Sequence, residues 1–278
     1  MLGLGALGYG IESDVLPGKR RIGGVIGLDG DPEPMPTDPA GEVVVPAPFT
    51  SPFRPGTPEP WAYSLPPGQS ITGLPVIIVL HGWGDDHRFC FDKLGMQHYQ
   101  ARVVAEGHQP FVLASLDGEH NFWHPHPTGP NWARLVSDGL VGELAKAGAD
   151  TSRIGFVGWS MGGYGALRLA AEEMHGRVKA VGAMSVALYR SLADCPHEGA
   201  FDNEADYQAN KLIDRLDRLD GLPVHLACGV NDKYIEIDQW LAGQLSPTPQ
   251  TMWRKGDHAP DFWRLAAPVQ LRFVADHL

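Results

Sequence analysis

Short aliphatic segments recur from residue 75 onward and alternate with longer segments of helical period. Because these segments are apolar throughout, each is expected to be buried on both faces, as the strands of a parallel sheet are. Strands are predicted at residues 76–80, 111–116, 154–157, 178–184, 224–228 and 251–254. Helices are predicted at residues 86–106, 132–147, 161–174, 237–245 and from residue 260 onward. The alternation predicts an α/β fold with helices on both faces of a mostly parallel sheet.

Composition and charge exclude two kinds of partner. Of the 278 residues 43% are hydrophobic, so the chain is expected to bury a large core. Its net charge is −11, and a protein that holds nucleic acid by its phosphates needs clustered cations instead. The longest aliphatic stretch, residues 76–80, is far shorter than the roughly 20 residues of a membrane-spanning helix. We therefore expect neither a nucleic-acid partner nor a membrane span, and the oligomeric state stays open.

The first 70 residues differ in character from the rest. Residues 31–67 contain 12 of the 24 prolines, and proline lacks the backbone donor that helices and central strands require. We predict an extended proline-rich arm over residues 1–70, with short strands such as 42–45 embedded in it. One domain follows over residues 71–278. Within it, residues 185–221 are longer than a normal crossover and predict a lid over the site.

A Gly-x-Ser-x-Gly pattern follows the third predicted strand, with Ser160 between Gly158 and Gly162. In this nucleophile elbow a serine lies on a sharp turn from strand to helix, and the glycines leave room for neighbouring backbone. The turn would present the Ser160 hydroxyl at the edge of the sheet, with the Met161 N–H beside a developing oxyanion. The alternative is a glycine-rich turn whose serine has no catalytic role.

A nucleophilic serine needs a base, and the base needs an orienting carboxylate. His258 follows the last predicted strand and precedes the last helix, where a loop can bring its imidazole over the sheet. His197, in the predicted lid, is the second candidate base. Asp232 follows the strand at 224–228 and is the predicted acid. The alternatives are a solvated loop histidine and a helix-capping aspartate.

The loop after the first core strand is the expected source of a second oxyanion donor. It contains His81, Gly82 and Trp83, and we assign the donor to the Trp83 N–H, with the indole ring as the floor of the pocket. A glycine turn capped by Asp85 would explain the same residues. The predicted substrate-binding residues are taken from this loop, from the loop after the second core strand and from the elbow: His81, Gly82, Phe122, Trp123 and Trp159.

No metal or cofactor is predicted. His124 and His126 have a spacing that metal ligands use, but no third ligand is evident nearby in the sequence. The glycines of residues 3–8 match a dinucleotide-binding loop, but no strand precedes them. The sequence contains three cysteines, Cys90, Cys195 and Cys228. One disulfide with a spare thiol and three free thiols are equally compatible with this number.

The chain resembles the esterase branch of the α/β-hydrolases, which includes S-formylglutathione hydrolase (esterase D), feruloyl and enterochelin esterases, and mycobacterial mycolyltransferases. The motifs that carry the resemblance lie at residues 80–84, 117–118, 158–163, 229–232 and 256–258. The resemblance implies an α/β-hydrolase fold over residues 71–278, with Ser160 as nucleophile, His258 as base and Asp232 as acid. It also implies oxyanion donation by the N–H groups of Trp83 and Met161.

The resemblance implies a serine esterase that hydrolyses carboxylic esters of small molecules, with a preference for short acyl chains and no cofactor. Mycolyltransferases usually carry glutamate at the place of Asp232, so hydrolysis is favoured over acyl transfer. The alternatives are an acyltransferase of that type and a catalytically idle binding protein on the same fold. Residues 2–10 are small and apolar, and residues 8–12 resemble the region after the export signal of exported actinobacterial members. Export to the cell envelope is therefore favoured, with an ordinary flexible terminus as the alternative.

Overall fold

The computed structural model describes residues 33–37 and 39–278, and within them eight strands form one sheet. The strands are β1 Glu42–Val44, β2 Phe49–Thr50, β3 Pro58–Glu59, β4 Trp61–Leu65, β5 Pro75–Leu80, β6 Val112–Leu116, β7 Asp150–Trp159, β8 Val178–Met184, β9 Val224–Gly229 and β10 Gln250–Arg254. In space the strands of the large sheet run in the order β1-β4-β6-β5-β7-β8-β9-β10, and β2 pairs with β3 separately. Strands β1 and β4 are antiparallel to their neighbours, and all other pairs of the large sheet are parallel.

Helices cover both faces of this sheet, as predicted. Alternate residues of β5 point to opposite faces: Ile78 belongs to one hydrophobic core and Ile77 to the other. The α-helices are α1 Phe89–Asp92, α2 Met96–Ala105, α3 Trp132–Arg134, α4 Val141–Lys146, α5 Met161–Ala171, α6 Glu204–Asn210, α7 Ile235–Ala242 and α8 Pro260–Ala275. A π-helical segment, Leu135–Leu140, joins α3 to α4, and 3-10 helices lie at Leu192–Asp194 and Leu212–Leu219. Helices α2 and α8 pack on one face, and α5 and α7 on the other.

The six predicted core strands are all present, but three helix predictions were wrong in detail. The helix expected at residues 237–245 is Ile235–Ala242. The helix expected at residues 86–106 is two helices, because Gly95 between them has a φ of 67° that ends regular helix. The helix expected at residues 161–174 ends at Ala171. Strand β7 is longer than predicted at both ends, and its last residue precedes the elbow serine.

The proline-rich region contributes two strands to the large sheet. Strand β4 pairs with β6 in the register Trp61↔Leu116, and β1 pairs with β4 at the sheet edge. Further toward the N-terminus, the Arg264 side chain in α8 donates a hydrogen bond to the Glu33 carbonyl (2.7 Å). The division of the chain at residue 70 stays a prediction. The glycines of residues 3–8, the apolar segment at residues 2–10 and most of the N-terminal half of the arm lie outside the described residues.

Three further observations concern the described part of the chain. None of its helices combines the length and the apolar character that crossing a bilayer requires. The thiols of Cys90, Cys195 and Cys228 are all free. Residues 185–221, the predicted lid, contain α6 and both 3-10 helices, and they contribute buried aromatic side chains such as Phe201 and Tyr207 to the larger core.

Candidate active site

Ser160 lies at the turn between β7 and α5 with a strained backbone. Its φ of 55° and ψ of −120° are unfavourable for a residue with a side chain, and such strain is characteristic of functional turns. The flanking glycines are required by close contacts. A Cβ on Gly162 would lie 1.9 Å from the Leu80 carbonyl oxygen, and one on Gly158 would lie 2.3 Å from the Gly162 carbonyl oxygen. The packing of the turn against β5 therefore requires glycine at position 162, and the packing of β7 against the start of α5 requires glycine at position 158.

Three predicted residues lie within hydrogen-bonding distance of one another. The Nε2 atom of His258 lies 3.0 Å from the Ser160 hydroxyl, and its Nδ1 atom lies 2.9 Å from a carboxylate oxygen of Asp232. The serine and the histidine are 98 residues apart in the sequence. This geometry allows His258 to accept the serine proton through Nε2 while Nδ1–H donates to Asp232.

The Asp232 carboxylate is almost completely buried and is held in its ionised form. Burial alone would raise its pKa, but the adjacent His258 and a hydrogen bond from the Tyr234 N–H (3.0 Å) outweigh burial and lower the pKa below its ordinary value. An ionised carboxylate favours the His258 tautomer that carries its proton on Nδ1. The Nε2 lone pair is then directed toward Ser160.

Backbone contacts hold together the loops that carry Asp232 and His258. The Val230 N–H donates to the Arg254 carbonyl (2.8 Å), and the Asn231 N–H donates to the Gly256 carbonyl (3.0 Å). Tyr234 and Trp263 pack edge-on against the His258 ring from two directions, with ring centroids 5.1 Å away in each case. The imidazole is therefore confined near one orientation.

A second set of contacts shapes the predicted oxyanion loop. The Trp159 indole N–H donates to a carboxylate oxygen of Asp85 (2.9 Å), and a Cβ on Gly82 would lie 2.8 Å from that indole nitrogen. Burial raises the pKa of Asp85, although the bond from Trp159 opposes the shift. Met161 is the first residue of α5, where backbone amides lack acceptors within their own helix. The oxyanion roles of Trp83 and Met161 stay predictions.

A cavity of about 340 Å³ opens at Ser160 and His258. Gly82 and Trp83 line it as expected. His197 lines it as well, but its ring stacks on Trp83 with centroids 4.6 Å apart, and the base within reach of Ser160 is His258. Burial, together with the nearby charges of Lys233, His258 and His120, lowers the pKa of His197 to about 4. His197 is therefore a neutral wall of the cavity near pH 7.

Four of the predicted substrate-binding residues lie behind the cavity. The side chains of His81, Phe122, Trp123 and Trp159 are fully buried, so assigning them direct contact with substrate was wrong. His81 illustrates the reason. Its Nδ1–H donates to the Gly82 carbonyl (2.8 Å), and its Nε2 accepts from the Gly118 N–H (2.8 Å), so the ring joins two loops beneath the site. Trp159 supports the oxyanion loop, and the other two residues pack beneath it.

Five residues that were not predicted as site residues also line the cavity: Asp85, Phe89, Lys233, Pro260 and Trp263. Lys233 follows the predicted acid directly, and Pro260 and Trp263 lie in the first turn of α8, just after the predicted base. Proximity in sequence to Asp232 and His258 was therefore the available signal. Phe89 had no such signal, because it is far in sequence from those residues and lies at the cavity with its ring packed against Trp159, at a centroid distance of 5.6 Å.

A mostly parallel sheet with helices on both faces, and a serine at the turn between a central strand and the next helix, define an α/β-hydrolase. Residues 55–266 match the family model described as "Putative esterase". The chain belongs to this family. This confirms the fold and the family that the motifs indicated.

Among curated proteins, the chain is similar to Esterase Rv1288 of Mycobacterium tuberculosis (strain H37Rv), with 32% identity over 119 residues. The match covers 39% of this chain and 25% of that protein, so the chain matches only about a quarter of the curated relative's length. Among solved structures, a ferulic acid esterase superposes with a TM-score of 0.74 at 19% identity and covers 87% of this chain and 100% of its own. S-formylglutathione hydrolase from Agrobacterium tumefaciens gives a TM-score of 0.72 at 18% identity, covering 87% and 98%. At these identities the structural similarity shows the fold.

Proposed function

We propose that the chain hydrolyses carboxylic esters through a triad of Ser160, His258 and Asp232. The observation that carries this proposal is the pair of hydrogen-bonding distances, 3.0 Å from Ser160 to His258 and 2.9 Å from His258 to Asp232. A catalytically idle serine would not need a strained backbone, nor would it need to lie next to a confined imidazole that in turn contacts a buried ionised carboxylate.

In the first half of the reaction, His258 Nε2 takes the proton of the Ser160 hydroxyl as its oxygen attacks the ester carbonyl carbon. The electrons of the carbonyl bond move to the oxygen, and the N–H groups of Trp83 and Met161 stabilise the negative charge. When the intermediate collapses, the bond to the alcohol oxygen breaks and His258 returns the proton to the leaving alcohol. The product on the enzyme is an acyl ester of Ser160.

In the second half, water takes the place of the alcohol. His258 removes a proton from the water as its oxygen attacks the acyl carbon, and the same N–H groups bind the second oxyanion. Collapse releases the carboxylic acid and reprotonates Ser160. Asp232 remains ionised throughout and stabilises the imidazolium that forms twice in each turnover.

The size and the walls of the cavity favour small esters. Its volume of about 340 Å³ is near the lower end of the range that ligand pockets span. Trp83 and Trp263 supply apolar walls, which suit a short acyl chain or a single aromatic ring. The similarity to a ferulic acid esterase and to S-formylglutathione hydrolase supports a small acyl group as well.

The proposal is tested by replacing the nucleophile. We expect Ser160→Ala to abolish hydrolysis of p-nitrophenyl acetate and butyrate and to prevent labelling by a fluorophosphonate probe. Ser152→Ala, which changes an exposed serine on β7, is the matched control and should keep both. A Ser160→Ala protein that turns over these esters at the wild-type rate would refute the assignment. A series of p-nitrophenyl esters of increasing chain length tests the preference for small acyl groups.

A further inference from the structure

A cluster of two imidazoles and a carboxylate lies between the loop after β6 and the predicted lid. His124 and His126 belong to the loop and Asp206 to α6, and all three are buried with their donor atoms within 4.8 Å of one another. The Nδ1 atoms of both rings face the same carboxylate, each at 3.8 Å from one of its oxygens. The two rings are stacked, with centroids 4.3 Å apart.

Backbone carbonyls orient both rings in the same way. The Nε2 atom of His124 lies 2.8 Å from the Ala200 carbonyl oxygen, and the Nε2 atom of His126 lies 3.4 Å from the Asn121 carbonyl oxygen. A carbonyl oxygen accepts hydrogen bonds, so each ring donates to its carbonyl when the proton is on Nε2, which is the tautomer that can bind a metal through Nδ1. The lone pairs on Nδ1 are then directed at Asp206. Histidines that bind metals commonly have this second bond to a carbonyl or carboxylate.

The Nδ1 atoms are surrounded by further oxygens. In His124 this atom lies 3.0 Å from the Pro125 carbonyl oxygen, and in His126 it lies 2.7 Å from a carboxylate oxygen of Asp202. In His124 carbonyl oxygens face both ring nitrogens, so a neutral ring leaves one nitrogen lone pair opposite an oxygen, and a cation at that nitrogen would turn repulsion into attraction. In His126 the Nδ1–H donates to Asp202 when no metal is bound, and a metal ion would take the place of that proton between the two groups.

We propose that His124, His126 and Asp206, with Asp202 as a fourth ligand, bind a divalent transition-metal ion of the zinc class. Two imidazole nitrogens with two carboxylates suit Zn²⁺, whereas Ca²⁺ and Mg²⁺ prefer oxygen ligands alone. No third ligand for His124 and His126 was evident in the sequence, because the carboxylates come from the predicted lid and only the tertiary fold brings them to the loop.

A metal ion at this site would stabilise one wall of the catalytic cavity. The His124 ring stacks on Phe201 with centroids 4.8 Å apart, and Phe201 packs against Phe122 at 5.6 Å. Phe122 in turn contacts the rings of Trp83 and His197, which line the cavity, each at 5.9 Å. A metal ion between the loop and the lid would therefore stabilise the fold around the cavity without touching the reacting atoms. This inference does not depend on the esterase mechanism.

The experiment measures binding of Zn²⁺ alone to the full chain after removal of metals with EDTA. We expect calorimetric titration and elemental analysis to find one Zn²⁺ per chain. At a concentration 100-fold above Kd, the ion should raise Tm by about 5 °C. Asp206→Asn and His126→Ala should lose both effects. His175→Ala, which removes an exposed imidazole outside the cluster, is the matched control and should keep both.

Because either substitution can lower stability by itself, the diagnostic quantity is the change in Tm on adding Zn²⁺ within each variant. A second readout is Co²⁺, whose visible absorption should appear in wild type and in His175→Ala and be absent in Asp206→Asn. The proposal is overturned if wild type binds no stoichiometric metal. It is equally overturned if Asp206→Asn and His126→Ala keep the Zn²⁺-dependent rise in Tm, since the ion would then bind elsewhere.

Discussion

Replacing Asp232 by asparagine tests how the imidazole base is oriented. One carboxylate oxygen accepts from the Tyr234 N–H at 3.0 Å, and the other lies 2.9 Å from Nδ1 of His258. In asparagine the oxygen has to stay opposite the Tyr234 N–H, because that position requires an acceptor. The amide NH₂ then faces Nδ1 of His258, which must present a lone pair. The proton moves to Nε2 and points at Ser160, so the ring cannot accept the serine proton.

The expected loss follows from this wrong tautomer. A triad whose histidine is held in the wrong tautomer loses a factor of about 10⁴ in kcat. At 1.36 kcal/mol for each factor of ten, this corresponds to about 5.4 kcal/mol of transition-state stabilisation. We expect KM to change little, because Asp232 is only 2% exposed and does not line the cavity.

The measurement is kcat and KM for p-nitrophenyl acetate, together with the rate of fluorophosphonate labelling of Ser160. Asp220→Asn, which removes the same charge from an exposed loop position, is the matched control and should behave like wild type. If Asp232→Asn folds normally and keeps kcat within about tenfold of wild type, orientation of His258 by Asp232 is refuted.

Three other substitutions address the wall of the cavity, the elbow and the pH dependence of stability. His197→Ala should raise KM by about tenfold or less, because the stacking of His197 on Trp83 is lost, and kcat should stay within about tenfold of wild type. A loss of kcat near that of Ser160→Ala would instead identify His197 as the base. Gly162→Ala should lower Tm by about 6 °C, because the added Cβ would lie 1.9 Å from a carbonyl oxygen. Gly142→Ala is the control and should leave Tm unchanged, because its Cβ would have no neighbouring atom within 4 Å. Equal Tm values for the two variants would contradict this prediction. Burial lowers the pKa of His225 from 6.5 to about 4. As the pH falls, the unfolded state therefore binds the proton first. The free energy of unfolding should then drop by about 3 kcal/mol between pH 6.5 and 4. Urea unfolding of His225→Gln should show a correspondingly shallower pH dependence, and an unchanged one would contradict the assignment.

Local sequence was sufficient wherever the determining contacts are local. The parallel strands could be predicted because burial on both faces requires continuous apolar runs, as in Pro75–Leu80. The elbow could be predicted because its glycines lie two residues from Ser160 and the strand precedes it directly. The helix break at Gly95 was missed because glycine is compatible with both a helix interior and a left-handed turn.

The order of the site residues along the chain also carried information. His258 was preferred to His197 because it follows the last strand, and the fold brings its Nε2 atom to 3.0 Å from the Ser160 hydroxyl. Membership of the esterase family agrees with the motifs from which the site was predicted. Sequence order could not tell which aromatic residues face the cavity, because Trp123 and Trp263 are equally apolar and only one of them lines it.

The α/β class, the elbow and the candidates for nucleophile, base and acid could therefore be read from the amino-acid order, since each depends on periodicity or on a few neighbouring residues. Three features required the folded chain: which side chains are buried beneath the site, the entry of β4 from the proline-rich region into the sheet, and the meeting of Asp206 with His124 and His126. These outcomes depend on contacts between segments far apart in the chain. Such contacts produce no recognisable spacing of residues in the sequence, because packing rather than local conformation brings the segments together.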